Sequence, residues 1–285
     1  MKVVLAGAYG HLGSDIFRAL LKAGHEVVAA DAVERDLHLE GNYVFRKLDV
    51  TDREALKGLC DGADEVITTV GLTKASKTVT NFQIDYQGNL NLLKEAQKAG
   101  VKHFTYISVH TADQAPANVP IVYTKYLFEK ELRKSGMPYT IIRPTGYFYD
   151  IINVFRPMIE KGKVSLLGKK PVRANVIDTS DLADFVVKHM GENNTTYDIG
   201  GKEVYTYEEM ARMCFEAAGR PVKISYYPAW IFDVLATVNR WAKNGKEPII
   251  RFSKWTLTHD MVGDVKYGEK SFAEYVKQCF AKENQ

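Results

Sequence analysis

The chain of 285 residues carries 38 Lys and Arg against 35 Asp and Glu, a net charge of +3, and 46% of it is hydrophobic. That length and balance suit one extended α/β domain, or a cofactor domain with a smaller lobe, and exclude a mainly disordered chain. The charge is too small to imply nucleic acid or an anionic membrane, and a small anionic ligand remains compatible with it.

The amino terminus, Met1-Lys2-Val3-Val4-Leu5, runs directly into a glycine turn and leaves no room for the longer apolar core of a signal peptide. No stretch is long and apolar enough to span a bilayer. Cys60, Cys214 and Cys279 are far apart and form no CxxC pair, so neither a disulfide framework nor a metal site is expected. A cytoplasmic, reducing environment is the expected home.

Short apolar runs at 2–6, 26–30, 43–47, 65–70, 103–108 and 139–143 read as strands, with amphipathic stretches between them. After the glycine turn, Ile16, Ala19, Leu20 and Ala23 share one side of a helix that Gly24 ends. The same punctuation recurs at Gly100, after Leu92, Leu93 and Ala96, and at Gly136, after Phe128 and Leu132. Helices that end in glycine and lead into strands make a βα ladder, hence an α/β fold with a parallel sheet. Past residue 146 the alternation loosens to a strand-like 174–177, a helix over 181–189, and a Tyr-, Trp- and Pro-rich stretch from Tyr226. There Ile231, Val234, Leu235, Val238 and Trp241 recur at helical spacing. That stripe packs on the protein's own core, or serves as a lid, a dimer contact or a membrane-surface helix.

The turn Gly7-Ala8-Tyr9-Gly10-His11-Leu12-Gly13 follows a strand and opens a helix, the context that gives a glycine fingerprint its meaning. The first glycine permits the tight turn, the second lets backbone approach a pyrophosphate, and the third lets the helix sit close to the sheet. Asp31 closes the next strand, where a carboxylate accepts hydrogen bonds from the adenosine ribose. Asp49, after the third strand, stands where an acidic side chain receives the adenine amino group. Asp31 would repel a 2′-phosphate, which favours NAD over NADP, with Arg35 close enough in sequence to keep NADP as the alternative.

With these residues the chain resembles the short-chain dehydrogenase/reductase superfamily, in its extended branch, which includes UDP-sugar epimerases. Asp85-Tyr86-Gln87-Gly88-Asn89-Leu90-Asn91-Leu92-Leu93, Phe104-Thr105-Tyr106-Ile107-Ser108 and Tyr139-Thr140-Ile141-Ile142-Arg143-Pro144-Thr145-Gly146 look like the atypical, NmrA-like members. Val176-Ile177-Asp178 and Asp181-Leu182-Ala183 continue the likeness. The resemblance implies a Rossmann-type doubly wound core over 1–150 and a smaller substrate-side lobe over 151–285, interleaved because 174–190 packs back on the core. Cofactor contacts are expected from Gly7, Tyr9, Gly10, His11, Leu12, Gly13, Asp31, Asp49, Val50, Val70, Gly71, Ser108, Lys125 and Pro144.

The superfamily's catalytic device is a Tyr four residues before a Lys, both on one helical face. Here the Lys is Lys125, and the earlier position is Ile121. Tyr123 lies two residues from Lys125, about 200° away on a helix, and should point elsewhere. Lys125 retains the ribose-binding role that the resemblance implies. His110, near the superfamily's Ser or Thr position, and Tyr147, after the Pro144-Thr145-Gly146 turn, are the candidates for proton transfer, against a plain loop histidine and a core aromatic.

The function expected is an NAD(P)-dependent oxidoreductase acting on a small quinone, flavin, enone or carbonyl substrate, since these need little acid assistance. Ile121 keeps a non-catalytic, NAD(P)-sensing regulator open, and the glycine pattern a nucleotide-sugar epimerase or dehydratase. A homodimer is compatible with these readings.

Overall fold

The computed structural model describes residues 1–72, 75, 76, 78–168 and 170–281. In chain order, β1 (Lys2–Ala6), α1 (His11–Lys22), β2 (Glu26–Asp31), β3 (Tyr43–Lys47), α2 (Arg53–Leu56) and β4 (Glu65–Thr68) precede a π-helical segment (Phe82–Gly88) that runs into α3 (Asn89–Lys98). Then come β5 (His103–Ile107), α4 (Pro120–Lys134), β6 (Tyr139–Pro144), α5 (Phe148–Glu160), β7 (Val164–Leu167), β8 (Arg173–Ala174) and α6 (Thr179–His189). The chain ends with β9 (Thr195–Gly200), β10 (Tyr205–Thr206), α7 (Tyr207–Ala217), β11 (Ile224–Tyr227), α8 (Trp230–Trp241), α9 (Glu247–Thr258), β12 (Val265–Lys266) and α10 (Phe272–Ala281).

Eight strands form one sheet in the order β12-β9-β6-β5-β4-β1-β2-β3, each neighbouring pair parallel. Its inner strands are apolar on both faces because helices cover both. Val3, Leu5, Val27 and Ala29 pack with Ile16, Phe17 and Leu20 of α1 and Leu182 and Phe185 of α6. Val4, Ala6, Val28 and Ala30 face the other way, toward Leu92 and Ala96 of α3 and Phe128 and Leu132 of α4. A third core joins α5, α7 and α10 through Phe148, Phe155, Phe215 and Phe272. The strand order reverses between β1 and β4, and a doubly wound sheet opens a crevice at the carboxyl ends of its strands there.

Two strands end two or more residues before their apolar runs do. β4 stops at Thr68 because the Val70 N–H turns back to the Thr68 hydroxyl, 3.2 Å away. Over 174–177 the ladder is confined to Arg173–Ala174, since the Asn175 N–H bonds Met261 and the Ile177 N–H bonds Gly146. β9 and β12, which sequence periodicity does not reveal, extend the main sheet beyond β6. Among the described residues, no helix is long and apolar enough to cross a membrane.

A buried ion pair clamps α4 to the sheet. Glu129 is fully buried and accepts from Arg143 Nη2 at 2.6 Å, Arg143 Nε at 2.9 Å and the Ser108 hydroxyl at 2.5 Å. The guanidinium continues to Asp113 at 3.2 Å and Asp198 at 3.6 Å. Removing one partner of such a pair strands a charge in a medium that solvates it poorly. Arg143→Met is therefore expected to lower the unfolding free energy by about 3–5 kcal/mol, read by urea denaturation, and the double variant with Glu129→Gln by less.

Candidate functional site

The cleft begins at the turn between β1 and α1. Gly7 adopts φ +83°, and a Cβ there would lie 2.5 Å from the Thr69 hydroxyl. At Gly13 a Cβ would lie 1.9 Å from the Gly7 carbonyl oxygen, so only glycine lets α1 approach the turn so closely. The N–H groups of the first turn of α1 have no helical acceptors, and the helix dipole adds partial positive charge where they face the cleft.

One half of the cleft is lined by Gly7, Tyr9, Gly10, Asp31, Arg35, Asp49, Val50, Thr69, Val70 and Gly71, among others. Asp31 is held in place by the backbone, accepting from the Tyr9 N–H at 2.9 Å and the Ala32 N–H at 2.7 Å, one on each oxygen. Asp49 Oδ1 accepts from the Thr51 N–H and hydroxyl at 2.9 and 2.7 Å, which holds its carboxyl below the usual range. These bonds fix both carboxylates while leaving each with further acceptor capacity. The side chain of Tyr9 packs edge-on against Phe17 and Phe45.

The other half shares Gly10, Thr69 and Gly71 with the first and continues past His11, Leu12, Gly13, Ser108, Lys125, Pro144 and Tyr147. All fourteen cofactor-contact positions expected from the sequence thus line one continuous groove. Its far end is a largely apolar chamber made by Leu72, Ile107, Val109, Ile121, Phe252 and Met261.

Lys125 enters this half from α4. Its ammonium donates to the Ile107 carbonyl at 3.3 Å and lies 3.6 Å from Asp85 Oδ1. Asp85 sits on the π-helical segment, a rare turn often found at functional sites, and is fully buried. Its Oδ2 accepts from the Leu72 N–H at 3.0 Å and from Asn81 at 3.2 Å, whereas Oδ1 has no hydrogen-bond partner among the described residues. Burial raises its carboxyl above the usual range against the opposing pull of Lys125. A Cβ at Gly71 would lie 3.0 Å from both Asp85 Oδ1 and Lys125 Nζ, so backbone passes close by this pair.

Ile121, one turn before Lys125, lines the chamber where the superfamily's Tyr would stand, and Tyr123 is not among the lining residues. The opposite wall holds Tyr147, stacked on Tyr149 at 5.6 Å, with the His11 ring 3.7 Å from that of Tyr149. Burial pushes the Tyr147 hydroxyl well above its usual range, which suits it to remain a neutral hydrogen-bonding group. His110 is turned away from the chamber lining and bonds Asp198 at 2.7 Å, within the Arg143 network. Phe148, between the two tyrosines, points into the third core.

Sequence reasoning missed Asp150. It lies in the first turn of α5, reaches the chamber, and has its carboxyl raised by burial from 3.8 to about 6. It also assigned no role to Asp85, although the run Asp85-Tyr86-Gln87-Gly88-Asn89 carried part of the resemblance. The signal available was an acidic residue inside an otherwise apolar or amide-rich stretch in each case.

The groove fits a dinucleotide on its own geometry: a glycine cradle that a Cβ would fill, carboxylates fixed at one end, and an unsatisfied buried carboxylate oxygen beside an ammonium at the other. Comparison with known proteins agrees. The profile of a family described as NAD(P)H-binding matches residues 7–193. Over 280 residues the chain is 27% identical to the photosystem II assembly factor Ycf39 of Synechocystis sp., covering 92% of this chain and 83% of that protein. It is 28% identical over 273 residues to a divinyl chlorophyllide a 8-vinyl-reductase of Oryza sativa subsp. indica, covering 83% and 65%. The NADPH-dependent quinone oxidoreductase QOR2 of Escherichia coli has the same fold, with a TM-score of 0.76 at 20% identity over 98% of this chain and 100% of that one. The glycine turn, the parallel sheet and the matched span together identify the chain as a member of the NAD(P)H-binding family.

Proposed function

We propose that this protein is an NAD(P)H-dependent reductase whose acceptor is a conjugated, largely apolar molecule such as a quinone, flavin or enone. The observation that carries the reading is the continuous groove, which leads from Asp31 past Lys125 into an apolar chamber containing one carboxyl of raised pKa, Asp150. The reduced nicotinamide, when bound, supplies the hydride. Lys125 would bind the adjoining ribose hydroxyls, with the buried Asp85 carboxyl positioning its ammonium. The aromatic wall of Tyr147 and Tyr149 orients a flat acceptor and excludes water.

Asp150 takes over the proton delivery that Ile121 cannot provide. Burial favours the neutral acid, so a carboxyl at about 6 is protonated in about a tenth of molecules at neutral pH, roughly a hundredfold more than one at 3.8. His110 is assigned to holding Asp198 in the network beneath the site, not to proton transfer.

A second reading is a non-catalytic NAD(P)H-binding regulator that acts through a partner protein. Ile121 and the likeness to an assembly factor favour it. Oxidation of NADH or NADPH by a quinone, flavin and enone panel separates the two, since the regulator predicts binding without turnover.

Three outcomes are expected. Asp150→Asn should lower kcat/KM by about 100-fold and abolish its decline above about pH 6, where the wild-type acid is lost as it ionises. An unchanged pH profile in the variant would reject the assignment. Lys125→Ala should weaken dinucleotide binding by roughly 10-fold or more, measured by fluorescence titration. Asp31→Ala should weaken NADH relative to NADPH by roughly 10-fold, because it removes ribose acceptors and the charge that opposes a 2′-phosphate.

A further inference from the structure

Helix α8 inverts the usual arrangement of a surface helix. At 100° per residue, Trp230, Val234, Val238 and Trp241 fall within one arc of about 80°, with Leu235 bordering it. They are 62%, 51%, 55%, 76% and 44% exposed respectively. The one buried residue of α8, Ala236, faces the opposite way. On that inner side the helix packs against α9, and Lys254 of α9 bonds both oxygens of Asp233 at 2.7 and 2.6 Å. The solvent-facing arc therefore carries only apolar side chains, a contiguous patch of the kind that marks an interaction surface.

The charge along this segment is mostly of one sign. Between residues 221 and 247 the cations are Lys223, Arg240, Lys243 and Lys246, all exposed, and the two acids, Asp233 and Glu247, are held by Lys254 and Arg251. Tyr226 and Tyr227, both exposed, lead into the helix. Lys163 sits 5.3 Å above the Tyr227 ring and bonds its hydroxyl, adding a further cation at that end. The nearest acid on α7, Glu208, is taken by Arg212 and the Tyr226 hydroxyl. The net charge of +3 for the whole chain conceals this local clustering.

Cations flank both ends of the apolar face, so a second copy packed on it, parallel or antiparallel, would bring like charges together. An anionic headgroup layer satisfies both features at once. Trp and Tyr rings favour the bilayer interface, Val and Leu enter the acyl boundary, and Lys and Arg meet the phosphates. A helix of twelve residues spans about 18 Å, far short of the hydrocarbon core, so it lies in the plane of the surface.

We infer that α8 docks this protein peripherally on an anionic membrane, with Trp230 and Trp241 as anchors and Lys243 and Lys246, just past the end of the helix, against the headgroups. The full chain should sediment with vesicles of phosphatidylcholine and phosphatidylglycerol in equal parts, and not with phosphatidylcholine alone, and added salt should release it. Lipids brominated near the headgroup should quench its tryptophan emission. Lys243→Gln with Lys246→Gln should lower partitioning about 25-fold, at about 5-fold per cation. Trp230→Ser with Trp241→Ser should abolish it. Both variants change exposed side chains and should keep the wild-type thermal midpoint and dinucleotide affinity. Failure of the wild type to sediment with anionic vesicles, or sedimentation unaltered in both variants, overturns the inference. So does a concentration-dependent dimer abolished by Val238→Asp, which would make a second copy the occupant. Nothing in this readout involves turnover, so its failure would leave the reductase reading intact.

Discussion

Glu129 and Arg143 form the interaction on which the deeper half of the cleft depends. Ile121, Lys125 and Glu129 are spaced one turn apart along α4, so the helical face that docks Glu129 on Arg143 also points Lys125 at the groove and Ile121 at the chamber. The same carboxylate accepts from Ser108 at the end of β5, and the same guanidinium reaches Asp198 on β9 and, through it, His110. One charged cluster thereby locks β5, β6, β9 and α4 in register beneath the site. Its charges are mutually satisfied, which makes it a support and leaves the chamber above it with few polar groups.

The other half of the cleft rests on a steric constraint. The near-contact of Gly13 with the Gly7 carbonyl draws the amino end of α1 onto the sheet, so its N–H groups and dipole face the space between β1 and β4. Asp31 is bound to the Tyr9 N–H of that turn, so the acceptor at the end of β2 and the glycine cradle move as one unit. A backbone cradle at one end and a clamped ammonium at the other leave a dinucleotide little choice of position.

The two ends of the groove differ in how they treat charge. Asp31 and Asp49 are solvated and braced by N–H donors, whereas Asp85 and Asp150 have carboxyls raised by burial. On the outer side of the roof, α8 presents apolar side chains to solvent, while α9 beneath it supplies Phe252 to the chamber.

Much of this was legible in the sequence because it rests on local rules. The βα ladder follows from short apolar runs and helix-ending glycines, and the cradle from glycine spacing between a strand and a helix. Those signals act over a few residues, and the structure brings all fourteen expected contact positions to one groove. The tertiary structure alone decided what depends on distant partners. That His110 bonds Asp198 turned on β9, a strand whose place in the sheet no periodicity announced. The environment of Asp150 is set by chamber walls drawn from distant segments, so its raised carboxyl has no sequence signature. The stripe on α8 was visible as a pattern, but amphipathic spacing records only that one face is apolar. Whether that face meets the protein's own core or the outside is settled by packing, because burial belongs to the assembled chain and not to the helix.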